Sequence, residues 1–265
     1  MPISFLEVVV FIIFAKKIAL FKTYRNFKNY MHSEHYVFQT KNSSDKPIWR
    51  YIDFWKFLNL LETKTLFFSN SSNLGDNNEG RIPSFVLKKM LEQDKQRGSK
   101  MNEELNNFLE NSLRKTHLIS SWSFAEGESF AMWKMYAKDK MGIAIETDLN
   151  SLKEAFKNTQ RNIYIGEVNY INENNYYFST GNLFYPFVTK LDFYSFENEI
   201  RCITVTKEGE VAENKFVDVD LDILIKKIHI SPNSKPEFRN LINLLKKEYR
   251  LNFEICYSKV SDNWL

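Results

Sequence analysis

The stretch that most constrains the fold is residues 117–148, HLISSWSFAEGESFAMWKMYAKDKMGIAIETD. It begins with a serine-rich run typical of a strand end, continues with a short helical pattern around Met132, Trp133 and Tyr136, and finishes with Gly142–Glu146, an apolar strand pattern. Polar and large aromatic side chains stand where a purely structural core would use Leu and Val. The stretch therefore predicts a strand–helix–strand unit that carries a binding site.

Along the rest of the chain, the predicted strands and helices do not show the regular β-α-β alternation of a doubly wound fold. Strands are predicted at 48–52, 66–69, 117–121, 142–146, 162–171, 200–206, 215–219, 228–230 and 253–257, and helices at 54–63, 129–136, 149–157, 221–227 and 236–249, with two more between 83 and 115. The order predicts an α+β fold, with a mixed or antiparallel central sheet flanked by helices in a single domain at 48–265. The aromatic content of 15% also favours a thick core that contains a sheet.

Residues 1–47 are predicted to form a separate N-terminal segment and polar lead-in. The apolar run Val8–Ala15 is too short to span a bilayer, which needs ~20 apolar residues, and no basic region precedes it as in a signal peptide. Residues 5–28 combine this run with five Lys and Arg, which suits weak contact with an anionic membrane surface. Alternatively, translation begins at Met31 and the first thirty residues are not native to the domain.

Composition excludes several classes of function. The net charge of +3 arises in residues 1–30, so the rest of the chain lacks the basic footprint of a general nucleic-acid-binding domain. No glycine-rich dinucleotide or P-loop motif is present. The four His and two Cys lack the spacing of metal ligands, so no structural metal is expected, and Cys202 and Cys256 are predicted to be small buried side chains. This cysteine usage fits a cytoplasmic protein.

The strongest catalytic candidates are Glu197 and Glu199, just before a β-rich run. In an extended segment they would share a face with Arg201, because alternate side chains point the same way. Two neighbouring carboxylates can acquire unequal pKa values and divide acid and base roles. The structural alternative is that Arg201 or Lys190 simply neutralises them.

Candidate ligand-binding residues are polar or aromatic side chains at predicted strand ends and on the short helix. Arg50 is either a phosphate or carboxylate clamp or a structural ion pair, since a buried guanidinium needs partners. Ser121 and Trp122 could supply a hydroxyl and a base platform, while Trp133 and Tyr136 are either ligand contacts or core. The Asn-rich aromatic loop 172–186 is long enough for a lid. The predicted ligand-binding set is Arg50, Tyr51, Ser121, Trp122, Trp133, Tyr136, Lys190 and Arg201.

In this order the motifs resemble the bacterial domain-of-unknown-function family 2971, over roughly residues 48–258. The matching pieces are Trp49-Arg50-Tyr51, Leu66-Phe67-Phe68-Ser69, Asp76, Glu79-Gly80, Ser121-Trp122-Ser123, Met132-Trp133-x-x-Tyr136-Ala137, Gly142-Ile143-Ala144-Ile145, Lys190 and Glu197-x-Glu199-x-Arg201. The layout is also similar, more loosely, to ADP-ribosyltransferases. Those enzymes place an Arg or His on a first strand, a Ser or Tyr on a middle strand, and a Glu before a late strand.

The second resemblance implies NAD as cosubstrate. Arg50 would hold the dinucleotide phosphates, and Ser121 would orient the sugar side. Glu199 would hydrogen-bond the nicotinamide ribose and stabilise an oxocarbenium-like transition state. The implied protein is a cytoplasmic ADP-ribosyltransferase-like effector in anti-phage or stress defence, whose nucleic-acid or protein acceptor is not identified.

Two alternatives remain open at this stage. One is a non-catalytic module that binds a nucleotide or a nucleic-acid end through Arg50, Trp122, Trp133 and the 172–186 loop. The other is a metal-dependent nuclease that uses four acidic residues. These are Asp76, Glu79, Glu197 and Glu199.

Overall fold

The computed structural model describes residues 35–74, 76–137, 141–179, 182–207, 210, 213–232 and 234–260. All of them lie in one compact unit, Met31–Leu265. The apolar run predicted at Val8–Ala15 lies outside the described residues, as does the basic segment that follows it. None of the helices among the described residues is long and apolar enough to cross a membrane.

Within the described residues, nine strands form a mixed sheet in the order β11-β10-β4-β1-β3-β2-β9, with β8 paired to β3 and β5 paired to β8. These strands are β1 (Pro47–Ile52), β2 (Thr65–Asn70), β3 (His117–Phe124), β4 (Ile143–Asp148), β5 (Tyr164–Glu167), β8 (Glu199–Val205), β9 (Lys215–Asp218), β10 (Lys227–Ile230) and β11 (Glu254–Tyr257). Among the described strands of this sheet, β10 and β11 run parallel and the other pairs are antiparallel. Two short strands, β6 (Asn169–Ile171) and β7 (Thr189–Leu191), form a separate parallel pair. The predicted α+β class with a mixed sheet is confirmed.

The helices cover both faces of the sheet. They are α1 (Phe54–Thr63), α2 (Ser84–Arg97), α3 (Met101–Phe108, continued by a π-helical turn at Leu109–Leu113 and a last turn at Arg114–Thr116), α4 (Phe130–Tyr136), α5 (Leu149–Ala155), α6 (Leu221–Leu224) and α7 (Pro236–Glu248). Short 3₁₀ turns lie at Ser71–Asn73, Tyr185–Phe187 and Asp192–Glu197. Local sequence explains the boundaries. Asp53 caps α1 by accepting a hydrogen bond from the Lys56 N–H at 2.8 Å, and Gly98 ends α2 with a φ of 62°.

Two predicted strands differ from the observed ones by more than a shift of one or two residues at an end. The strand predicted at 117–121 continues to Phe124, because β8 pairs with it as far as Ser123. The strand predicted at 162–171 is divided into β5 and β6. The division falls at Val168, whose N–H donates to the Glu199 carbonyl at 2.9 Å before β6 turns to pair with β7.

Within the part of the chain that the structure describes, three hydrophobic clusters pack against the sheet. The larger core includes Phe57 of α1, Leu152 of α5 and Ile242 of α7, together with Ile48 and Trp122 from the strands. The second core joins α2 and α3 to the middle of the sheet, and its members include Val86, Leu109, Ile119 and Phe187. The third core packs α4 against β1 and β4 through Trp49, Tyr51, Met132, Trp133, Ala137 and Ala144. Side chains alternate along a strand, so the larger core occupies one face and the other two share the opposite face.

The sheet forks at β3. One edge of β3 pairs with β8 along its whole length, from His117 to Ser123. The other edge pairs with β2 at Leu118 and Ile119, and with β1 only at Ser123 and Phe124. Between these two contacts, no described strand pairs with β3 at residues 120–122 on that edge. At the fork, backbone N–H and C=O groups of β3 have no strand partner, so a side chain must supply their hydrogen bonds.

Replacing His117 with Asn is expected to remove a pH dependence of stability. His117 lies flat on Phe187, with ring centroids 4.1 Å apart, and burial lowers its pKa from 6.5 to about 4 despite a hydrogen bond with the Leu113 carbonyl. An unfolded chain would take up that proton at higher pH. The native protein therefore loses about 3 kcal/mol as the pH falls from 6.5 towards 4.

Urea unfolding of wild type and His117→Asn at pH 7, 5.5 and 4 tests this expectation. The variant loses packing at every pH, so the informative quantity is the difference in the free energy of unfolding between the two proteins. That difference should shrink as the pH falls. Curves that stay parallel would show that His117 does not carry the effect.

Candidate functional site

A polar patch lies on the face that carries the second and third cores. Strand pairing sets Ser121 opposite Arg201 and Ser123 opposite Glu199, so these four side chains share that face. Ser123, Glu199 and Arg201 are buried, whereas Ser121 is exposed although it lies in the middle of a central strand. The face is therefore open to solvent directly above Ser121.

Arg201 is the centre of this patch and is 0% exposed. Its Nε donates to Glu199 Oε1 and its Nη2 to Glu199 Oε2, both at 2.8 Å, which is the two-pronged geometry that a guanidinium makes with a carboxylate. Its Nη1 donates to the Phe187 carbonyl at 2.8 Å. The remaining bond of Nη2 goes to Oε1 of Glu79, also at 2.8 Å. Arg201 therefore joins β8 to two distant loops.

Lys190 of β7 lies at the junction of three carboxylates. Its Nζ is 2.7 Å from Glu197 Oε2, 3.2 Å from Glu79 Oε1 and 3.9 Å from Glu199 Oε2. The ammonium group also lies over the Tyr194 ring, 4.4 Å from its centroid. We call Glu79, Lys190, Glu197, Glu199 and Arg201 the carboxylate cluster.

Glu197 reaches the cluster by a route that differs from the prediction. It was expected in one extended segment with Glu199, but it ends the 3₁₀ turn Asp192–Glu197. Asn198 then reverses the chain with a φ of 42° before β8 begins. The two carboxylates still converge, because Lys190 contacts both. Tyr136 of α4, 43% exposed, donates from its hydroxyl to Glu197 Oε1 at 2.7 Å.

The electrostatics keep Glu199 ionised. Burial alone would raise the pKa of its carboxyl, but Arg201, Lys190 and a hydrogen bond from Ser121 outweigh burial and lower that pKa. The carboxylates act on their partners in turn. Burial and the hydrogen bond to Glu197 raise the pKa of Tyr136, and the three carboxylates overcome burial to raise the pKa of Lys190. A carboxylate whose pKa is lowered thus lies beside an exposed serine.

The structure does not bring Arg50 into this cluster. Arg50 shares one face of β1 with Ile48 and Ile52 of the larger core, and this is the opposite face from Glu199. Its guanidinium lies in the fork of the sheet, where it donates to Ser120 Oγ, to the Ser121 carbonyl at 3.2 Å and to the Phe67 carbonyl at 3.4 Å. All these acceptors are neutral, and burial lowers the pKa of Arg50 to about 10. Arg50 therefore touches the site only through the backbone of Ser121.

Three predicted aromatic contacts lie in the cores. Trp122 is buried in the larger core and stacks under Arg50, 5.6 Å from its guanidinium carbon. Tyr51 and Trp133 are buried in the third core; the Tyr51 hydroxyl accepts from the Ser129 N–H, and the Trp133 indole donates to Glu128. The predicted residues that do come together are Ser121, Tyr136, Lys190, Glu197, Glu199 and Arg201. The roles of all of these residues stay predictions.

The loop predicted as a lid at 172–186 packs against the second core where it is described. Tyr176 meets Phe85 of α2 edge-on, and Phe178 and Phe184 are partly buried against that core. Only Tyr177 presents a large exposed ring in that loop's described part. Cys202 is buried as predicted, whereas Cys256 on β11 is only half-buried.

Sequence reasoning placed Glu79 in the family motif and, with Asp76, Glu197 and Glu199, in a metal site, but it missed the pairing of Glu79 with Arg201. It also missed Tyr170, whose hydroxyl accepts from the Glu199 N–H at 2.9 Å. The signal available in the sequence was the charge balance. Because Glu197, Glu199 and Arg201 can be paired with one another locally, that signal does not point to Glu79. Among the described residues, no group of three or more His, Cys, Asp or Glu side chains is arranged to hold a metal ion.

Comparison with known proteins gives a family match and two distant structural likenesses. No curated protein matches the sequence. The solved structures include Thermus sp. 2.9 DarT in complex with NAD+ (9% identity, 83% of this chain and 98% of that chain, TM-score 0.42) and Thermus sp. 2.9 DarT in complex with ADP-ribosylated ssDNA (9% identity, 83% and 97%, TM-score 0.40). The model of a family described as a protein of unknown function (DUF2971) matches residues 132–202, which include most of α4, Lys190 and the start of β8. Over these residues the chain is therefore similar to the DUF2971 family, as its motifs predict.

Proposed function

We propose that this chain is a transferase of the ADP-ribosyltransferase type, which uses NAD and has Glu199 as its catalytic carboxylate. The observation that carries the proposal is the environment of Glu199. Its carboxylate is buried, is held ionised by Arg201, and shares a hydrogen bond with Ser121, the exposed residue on that face. A fixed negative charge at an opening in the sheet is suited to a reaction that develops positive charge.

In the proposed reaction, the bond between C1′ of the ribose and the nicotinamide nitrogen breaks, and its electron pair leaves with nicotinamide. Positive charge then develops on the ribose, and a preoriented carboxylate stabilises it without reorganisation. An acceptor nucleophile forms the new bond to C1′ and releases its proton to solvent. Glu199 is held by Arg201 and Ser121, so it can act on the ribose with little loss of side-chain entropy.

Glu197 has a different environment and, in the proposal, a different role. Both of its oxygens are engaged, Oε1 by the Tyr136 hydroxyl and Oε2 by Lys190. Tyr136 is the most exposed member of this chain of contacts. We assign Glu197 to holding Tyr136 and Lys190 at the rim of the site, where an acceptor would approach. The acceptor would be a nucleic acid or a protein, and the cellular role would be cytoplasmic anti-phage or stress defence.

The same contacts weigh against the metal-dependent nuclease. Both oxygens of Glu197 and both oxygens of Glu199 already accept hydrogen bonds, including those from Lys190 and Arg201, so a metal ion would have to displace these donors from the two carboxylates. The binding-module alternative rests on Arg50, Trp122, Trp133 and the 172–186 loop. Arg50 stacks on Trp122, but Trp133 is buried in the third core on the opposite face of the sheet, and the described part of the loop packs against the second core.

Nicotinamide release from NAD by the purified full chain tests the proposal, with cell lysate as a source of acceptor. Glu199→Gln should lower the rate about 100-fold or more, because the amide cannot supply the negative charge that stabilises the transition state. The matched control is Glu254→Gln, which changes an exposed carboxylate on the edge strand of the same sheet and should keep the wild-type rate.

Circular dichroism should show that both variants are folded. A folded Glu199→Gln protein with the wild-type rate would contradict the assignment of Glu199. NAD binding by wild type without any release would instead favour the non-catalytic binding module.

A further inference from the structure

Glu79 is a buried carboxylate to which the proposed reaction gives no role. It lies in the loop after β2 and is 5% exposed. Its Oε1 receives Arg201 Nη2 at 2.8 Å and lies 3.2 Å from Lys190 Nζ. Its Oε2 is also buried, yet no described residue donates a hydrogen bond to it. Among the described residues, the carboxylate cluster therefore contains a buried acceptor atom that has no donor.

The surrounding loop holds Glu79 firmly. Arg114 donates from Nε to the Glu79 carbonyl at 2.9 Å and from Nη2 to the Asn77 carbonyl at 3.1 Å. Gly80 follows with a φ of +71°, and its Cα packs so closely on Phe187 that a methyl group would lie 2.6 Å from the ring. The backbone on both sides of Glu79 is thus held in place, while its Oε2 accepts no hydrogen bond from any described residue.

The charge of the cluster points to the kind of donor. Among its described members, three carboxylates face two cations, which leaves one negative charge in excess in a buried place. Excess buried charge is costly and is relieved by a group of opposite sign. The open oxygen and the excess charge therefore favour the same ligand, one that is positively charged and donates a hydrogen bond. A ligand that brings another carboxylate is disfavoured on both grounds.

We propose that Glu79 is a specificity-determining residue, whose Oε2 accepts a hydrogen bond from the carboxamide N–H of a pyridinium carboxamide ligand and repels a pyridinium carboxylate. This inference rests on the proposed function, because it identifies the ligand as the nicotinamide end of NAD. It assigns the discrimination between an amide and an acid at that end to a single side chain. Glu79 takes no part in bond breaking.

The test compares two dinucleotides that differ at one group, NAD+ and its deamidated form, nicotinic acid adenine dinucleotide. Binding to the full chain is measured by titration calorimetry. Wild type should bind NAD+ about tenfold or more tightly than the acid form, which corresponds to about 1.4 kcal/mol. In Glu79→Gln the preference should fall to within about threefold, because the Gln amide donates to a carboxylate as readily as it accepts from an amide.

Glu154→Gln is the matched control. Glu154 of α5 is an exposed carboxylate that pairs with Lys157, away from the carboxylate cluster and from Arg114, so the preference for NAD+ should persist. Equal binding of both dinucleotides by wild type would overturn the inference, as would an undiminished preference in folded Glu79→Gln. Should that variant fail to fold, Glu79→Asp must still reject the acid form.

The two proposals fail in different ways. Wild type that binds neither dinucleotide would overturn both of them. Wild type that releases nicotinamide, with an unchanged preference in Glu79→Gln, would overturn only the role of Glu79.

Discussion

Replacing Arg201 with Met is expected to lower the free energy of unfolding by about 3–5 kcal/mol, because the change leaves buried carboxylates without their main partner. Glu199 would lose both of its guanidinium bonds and Glu79 its bond to Nη2. Lys190 alone would then face three negative charges. Urea unfolding at pH 7 measures the loss.

Arg97→Met is the control for this prediction, because it removes an exposed Arg from the last turn of α2 and should change stability by no more than about 0.5 kcal/mol. Acid gives a second check. The native pKa of Glu199 is lowered, so its stabilising contribution exists above its ordinary pKa of 4.5 and is lost as the pH falls through the native value. The difference in the free energy of unfolding between wild type and Arg201→Met should therefore become smaller in acid. A loss below about 1 kcal/mol at pH 7 would show that Arg201 is dispensable.

Elements of the fold were predictable wherever one local pattern decides the outcome. The N-cap at Asp53 and the left-handed Gly98 mark helix ends in the sequence itself. The apolar run of β4 is a buried central strand, as its composition predicts. Strand boundaries that depend on pairing with a distant strand were harder to predict from the sequence. The extension of β3 to Phe124 depends on β8, about eighty residues further along the chain.

The candidate site shows the same division. Glu199 and Arg201 could be paired from the sequence because they are two residues apart on one strand. Glu197 could not be placed by that argument, since the left-handed Asn198 turns the chain between the two glutamates. Glu79 reaches Arg201 across 122 residues of sequence, a separation that no local period records. Arg50 was correctly located on a strand and Trp122 was placed at a strand end, but the face of the sheet on which each side chain lies depends on strand register.

Gly80→Ala should be the second most damaging change, with an expected loss of about 2–5 kcal/mol. Gly80 has a φ of +71°, where an L-residue costs about 1–2 kcal/mol, and its added methyl would lie 2.6 Å from a ring carbon of Phe187, where overpacking costs about 1–3 kcal/mol more. Phe187 cannot move freely, because its ring stacks on His117 and its carbonyl receives Arg201. Urea unfolding measures the loss.

Gly98→Ala separates the two contributions. Gly98 has nearly the same backbone conformation, with a φ of +62°, but nothing lies within 4 Å of the position that a methyl would take. This variant should lose only the backbone term of about 1–2 kcal/mol and should keep nicotinamide release at the wild-type rate. Gly80→Ala should in addition displace Glu79, its neighbour in the chain, and so weaken the preference for NAD+ over the acid form. Equal losses of stability in the two variants would mean that Phe187 yields to the methyl group, and that the Glu79 loop is softer than its contacts indicate.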